Sequence, residues 1–172
     1  ATFDLSKNVM VPPNSLKADG AMINDRFPKV FDVLKELALD KIFGNKDSKV
    51  GFISSGAVFE ILKHVLEDNH ALDRFSLYKV AAPYPLVSDL LIPYLKKLET
   101  LIVVEEKRGF LENEIYELMV KHNLNIKVIG KKMDNENAFI SHGGLNYDLI
   151  LNTISKIFTK LNLGPCHQTP AL

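Results

Sequence analysis

The chain has 172 residues, 47% of them hydrophobic, and 21 basic against 21 acidic side chains. That is enough chain for one globular domain with an extra arm, and the balanced charge leaves no basic stripe of the kind nucleic acid requires. One cysteine, Cys166, rules out an internal disulfide, a four-cysteine zinc site and an iron–sulfur cluster ligated by this chain alone. No apolar run approaches the ~20 residues of a membrane span, and one thiol without a leader fits the cytoplasm. The first residue is not Met, so an excised or processed piece is expected.

Residues 1–48 read as an N-terminal arm and connecting helix. "VPPNSLKADG" is rich in turn formers and has no sustained period. From Pro28, "PKVFDVLKELALDKIF" carries a helical stripe of Val30, Phe31, Leu34, Leu37 and Ala38. "GNKDS" is the linker that follows.

Residues 49–163 repeat a strand–helix unit. "KVGFIS" is a strand, and its helix carries Val58, Ile61, Leu62, Val65 and Leu66 on one side. "FSLYKVA" is the second strand, closed by "PYP". Ser88 is placed as N-cap of the next helix, where Pro93 predicts a local kink or a late start. "TLIVVEE" is the third strand. Its helix turns Leu111, Ile115, Leu118, Met119 and His122 inward. "NIKVIGK" is the fourth strand, and "AFIS" is a short fifth. A last helix repeats Tyr147, Ile150, Ile154, Phe158 and Leu161 at helical spacing. Residues 164–172 are a loose tail. Strands alternating with helices mean a mostly parallel sheet covered on both faces.

Two stretches invite a chemical reading. Ser54, Ser55 and Gly56 lie at a strand-to-helix turn, where N–H groups and the helix dipole are a candidate anion site. The phosphate-loop lysine and the spaced glycines of a dinucleotide site are missing, so a capped turn is the preferred reading. Glu105 and Glu106 look like an acid–base pair. Successive strand side chains point to opposite faces, however, so the two cannot converge on one substrate atom. Their place at the C-terminal edge of a central strand is the stronger signal, because ligands and partners meet open sheets there. Lys107 and Arg108 are candidates to neutralise one of them. The five histidines show no metal spacing, and Cys166 beside His167 does not make a nucleophile–base pair. No catalytic, cofactor-binding or metal-ligating residue is assigned.

"KVGFISSGAVFEILKHVLE", "YPLVSDLLIPYLKKLETLIVVEEKRGFLENEI", "VIGK" and "GGLNYDLI" occur in that order. Together they resemble the transketolase C-terminal-like domain of 2-oxoacid:ferredoxin oxidoreductases, nearest the indolepyruvate type, from about Asn8 to Phe158. The resemblance implies a three-layer α/β/α fold with a five-stranded, mostly parallel sheet and one antiparallel edge. It implies a parent enzyme that uses thiamine diphosphate, magnesium and iron–sulfur clusters to oxidise 2-oxoacids, with ferredoxin as acceptor and coenzyme A usually taking the acyl group. The family's GDG…N cofactor motif has only a wrongly spaced echo here, "ADGAMIN" (Ala18–Asn24), so no cofactor is expected on this chain. The domain would then be structural, with Tyr84, Pro85, Glu105 and Glu106 facing other domains, subunits or a second copy. Val87 and Pro93 depart from the family pattern. Two other classes stand beside this reading: a small-ligand or nucleotide-binding module, and a stand-alone dimerisation domain. Nucleic acid and membrane are not expected partners.

Overall fold

A computed structural model describes residues 11–166. Residues 1–10 of the predicted arm and residues 167–172 of the predicted tail, with His167, lie outside the described residues. The chain divides into two compact units, 1–38 and 39–172.

The first unit is helical where the sequence suggests an irregular arm. Helix α1 (Asn14–Ala21) runs through a π turn (Met22–Arg26) into α2 (Phe27–Leu37). Pro28 has no N–H to give the carbonyl four residues back, and the widened turn sits at that break. Asp25 and Lys29 pair at 2.6 Å across it. No residue of α2 is fully buried; of the expected stripe, Phe31 and Leu34 are half-buried and Val30, Leu37 and Ala38 exposed.

Helix α2 stops at Ala38, whose φ of 43° is left-handed. Lys41–Phe43, read from sequence as the end of that helix, and Gly44, read as the start of the linker, instead form strand β1 (Lys41–Gly44). Asp40 fixes its entry by accepting from the Tyr78 hydroxyl at 2.8 Å and the Ala81 N–H at 2.9 Å. Phe43 then packs on Phe59, with ring centroids 5.5 Å apart. The sheet also contains β2 (Val50–Ser55), β3 (Ser76–Val80), β4 (Thr100–Val103) and β5 (Lys127–Ile129). Its order is β1-β3-β2-β4-β5, with β1 antiparallel to β3 and the other neighbours parallel. The expected mostly parallel five-stranded sheet with one antiparallel edge is therefore present.

The edge strand comes from the start of the unit, and "AFIS" is not a strand. Lys132–Met133 (β6) and Glu136–Asn137 (β7) form a small hairpin. Ala138 and Phe139 then donate to the carbonyls of Lys131 and Gly130, so they extend that hairpin rather than the sheet.

Strand alternation divides the core. Phe52, Leu77 and Ile102 face α3 (Gly56–Asp68) and the last helix, α6 (Tyr147–Lys160). Ile53, Tyr78, Leu101 and Val103 face α4 (Ser88–Leu95) and α5 (Phe110–Lys121). Val87, not Ser88, is the N-cap of α4, and Pro93 is accommodated inside it. His122 is exposed, one position past α5.

Candidate functional site

Helix α3 leaves β2 on one face of the sheet, and α5 leaves β4 on the other. The C-terminal ends of these adjacent strands therefore separate into a crevice, the topological switch point of an open sheet. A groove of about 300 Å³ occupies it. Ser55 and Gly56 form one wall, Glu105, Glu106 and Phe110 the other, and Pro83 the rim. Tyr84 stands beside Phe110, with rings 6.0 Å apart and nearly perpendicular. The Tyr84–Pro85 peptide is cis. The two stretches singled out from sequence thus meet across one groove.

Strand geometry separates the serines. Ser54 is fully buried, and its hydroxyl donates to the Val104 carbonyl at 2.7 Å. It ties β2 to the end of β4 and does not reach the turn. Ser55 is the N-cap of α3 but makes no side-chain cap bond. Gly56 holds φ at 58° with open space where a Cβ would stand. The wall is thus an uncapped helix start, with N–H groups left unpaired by the helix itself.

The glutamates also separate, although β4 ends at Val103 and both lie in the turn beyond it, not in the strand read from "TLIVVEE". Glu105 is half-buried, and its carboxylate accepts from the N–H groups of Phe110 (3.0 Å), Leu111 (2.8 Å) and Glu112 (2.9 Å). It closes the N-terminus of α5, where a negative charge is favoured. Burial raises its carboxyl above the usual carboxylate range; the three N–H bonds and the Lys131 ammonium pull the other way. Glu106 is exposed, and its Oε1 accepts from the Leu145 N–H at 3.1 Å. Its Oε2 has no hydrogen bond among the described residues.

The cation behind this edge is Lys131, not Lys107 or Arg108. Its Nζ donates to the Glu105 carbonyl, and to the Ile140 carbonyl at 3.1 Å. Burial lowers the ammonium below the usual lysine range, against the attraction of Glu105, Glu112 and Glu106. Glu112 is buried and accepts from the Lys131 N–H at 2.9 Å. Gly130 permits this approach: a Cβ there would stand 2.4 Å from Glu112 Oε2. Sequence reading passed over Lys131. The available signal was "VIGK", a glycine and a cation at the end of a buried strand.

Elsewhere the candidates stay apart. His64 is 3.5 Å from Asp68, with a largely exposed ring, and His142 lies exposed in its loop. Cys166 is half-buried against the α3–α6 core, and burial raises its thiol. Among the described residues, no three His, Cys, Asp or Glu side chains come together to hold a metal ion. The residues present do not fit thiamine diphosphate. Asp19 and Gly20 of "ADGAMIN" lie inside helix α1 and Asn24 in the π turn, so no exposed turn gathers them. No helix among the described residues is long and apolar enough to cross a membrane.

An open α/β sheet with an antiparallel edge and helices on both faces defines a class of domain rather than an activity. Residues 40–166 match the indolepyruvate oxidoreductase domain, and the chain belongs to that family. It is 26% identical over 130 residues to indolepyruvate oxidoreductase subunit IorA of Thermococcus kodakarensis. That alignment covers 76% of this chain and 20% of the relative, so the chain spans about a fifth of the relative's length. Two solved structures share the fold. One is the 2-oxoglutarate:ferredoxin oxidoreductase of Magnetococcus marinus, with 2-oxoglutarate, coenzyme A and succinyl-CoA bound. It has a TM-score of 0.57 and 17% identity, over 85% of this chain and 23% of that one. The other is a split-gene transketolase, an inactive β4 tetramer. It has a TM-score of 0.50 and 14% identity, over 70% of this chain and 41% of that one. The family resemblance drawn from the ordered phrases therefore holds.

Proposed function

We propose that this chain is an assembly domain of a thiamine diphosphate-dependent 2-oxoacid:ferredoxin oxidoreductase of the indolepyruvate type, and that it supplies no catalytic group itself. The observation that supports the reading is the match of residues 40–166, almost the whole of the unit that begins at Leu39, to the indolepyruvate oxidoreductase domain. Thiamine diphosphate, magnesium and the iron–sulfur clusters would be held by other parts of that enzyme. Ferredoxin would be met through them. Tyr84, Pro85 and Glu106 would face a neighbouring domain or subunit. Glu105 would contribute from behind, by fixing the start of α5. The bonds Glu105 makes support this assignment, because a carboxylate accepting from three N–H groups of its own helix is poorly placed to exchange protons with a substrate.

Isothermal titration of the chain with thiamine diphosphate and magnesium tests the reading. It expects no binding; tight binding would refute a purely structural role. A nucleotide-binding module gains little support from the groove, because Ser54 is turned into the sheet and two carboxylates stand on the facing wall.

A further inference from the structure

The groove at the switch point differs from a phosphate site in the sign of its charge. Two of its lining residues are carboxylates, and no lysine or arginine is among them. Lys107 and Arg108 follow on the same loop without lining the groove. Glu105 is compensated internally by three N–H bonds. Glu106 takes a single N–H, from Leu145, and feels the Lys131 ammonium; its Oε2 has no hydrogen bond among the described residues. Phe110, 48% exposed, lines the groove with it, and Tyr84, 58% exposed, stands against the Phe110 ring. Exposed aromatic pairs are uncommon on a free surface and common at the centre of interfaces. Aromatic faces and a carboxylate together suit a guanidinium or ammonium group, through cation–π attraction and a charge-assisted hydrogen bond. The opposite wall offers the uncapped N–H groups at the start of α3, which suit a main-chain carbonyl.

We infer that the groove between Ser55–Gly56 and Glu105–Phe110 receives an arginine or lysine side chain from a partner polypeptide, with Glu106 as its anchor, Phe110 as its apolar wall and Tyr84 backing that ring. This rests on the assembly reading and adds the chemistry of the partner. Charge complementarity selects the occupant, because an acidic or phosphorylated segment would bring its charge against Glu106. The Leu145 N–H already holds one oxygen of Glu106, so the carboxylate is oriented before the partner arrives.

The test is an amide-resolved NMR titration of the full chain with acetyl-argininamide, acetyl-lysinamide, acetyl-norleucinamide and inorganic phosphate. The basic amides should shift the amides of Gly56, Glu106, Phe110 and Leu111. Glu106→Gln, which keeps an acceptor for Leu145, should weaken that response at least fivefold. Equal shifts with norleucinamide would mean an apolar slot only. A response to phosphate at the same amides would mean an anion site. No local response to either basic amide would overturn the inference as well. Mixing the chain with the other subunits of its enzyme separates the two readings. If Tyr84→Ala reduces association while the basic amides leave the groove unmoved, assembly stands and the cationic partner falls. If the amides bind while Tyr84→Ala and Glu106→Gln leave association unchanged, the cation site stands and the assembly face falls.

Discussion

Two strand-to-helix turns face each other across the groove, and they solve the same problem in opposite ways. At the start of α5, Glu105 reaches forward and takes three backbone N–H groups. At the start of α3, Ser55 stands at the cap position and takes none, while Gly56 swings the chain through a left-handed φ. One helix end is closed by its own chain, and the other has no side-chain cap among the described residues. A conspicuous pair of acids is thus no evidence of acid–base chemistry until the donors in reach have been counted. A polar turn is likewise no anion site until the charges opposite it are known.

The comparison can be broken at several points. The largest effect is expected from Gly130→Ala. A methyl there runs into the buried Glu112 carboxylate, so the support beneath the α5 turn must shift. A loss of about 2–3 kcal/mol in urea unfolding is expected, in the range of overpacked sites. A neutral outcome would show that Glu112 does not hold Lys131 in place. Ser54→Ala leaves the Val104 carbonyl without its side-chain donor inside the sheet, and should cost about 1–2 kcal/mol. Its neighbour supplies the contrast. Ser55→Ala should change stability by less than about 0.5 kcal/mol, although an N-cap serine that makes its bond is typically worth ~1 kcal/mol. If Ser55→Ala costs as much as Ser54→Ala, the α3 end is capped after all and the groove's open wall disappears.

Much of this was legible in the sequence. The strand–helix alternation gave the parallel strands, because each short apolar run is followed by a 3.6-residue stripe. Strand parity led to the separation of Glu105 from Glu106, but the strand ends at Val103 and the turn beyond it does the separating. What it could not give was decided by long-range contacts. The edge strand Lys41–Gly44 continues a helical pattern in sequence. It becomes extended because β3 has a free edge and Asp40 bonds to Tyr78 and Ala81 some forty residues away. "AFIS" has the composition of a strand but finds its partners in the carbonyls of Gly130 and Lys131. Lys131 was invisible for the same reason. A lysine after a glycine reads as surface charge until the fold brings the Glu105 and Ile140 carbonyls to its ammonium.

The central claim is that these adjacent glutamates divide their work: Glu105 belongs to the domain's own architecture, and Glu106, which we propose faces a partner, does not. Urea unfolding of the chain carrying Glu105→Ala or Glu106→Ala, at neutral pH and matched salt, tests it most directly. Glu105→Ala should lose about 2 kcal/mol, since three N–H groups at a helix start go without their acceptor. Glu106→Ala should stay within about 0.5 kcal/mol of the parent, as exposed substitutions do. Equal losses from the two variants, or a larger loss from Glu106→Ala, would contradict the division.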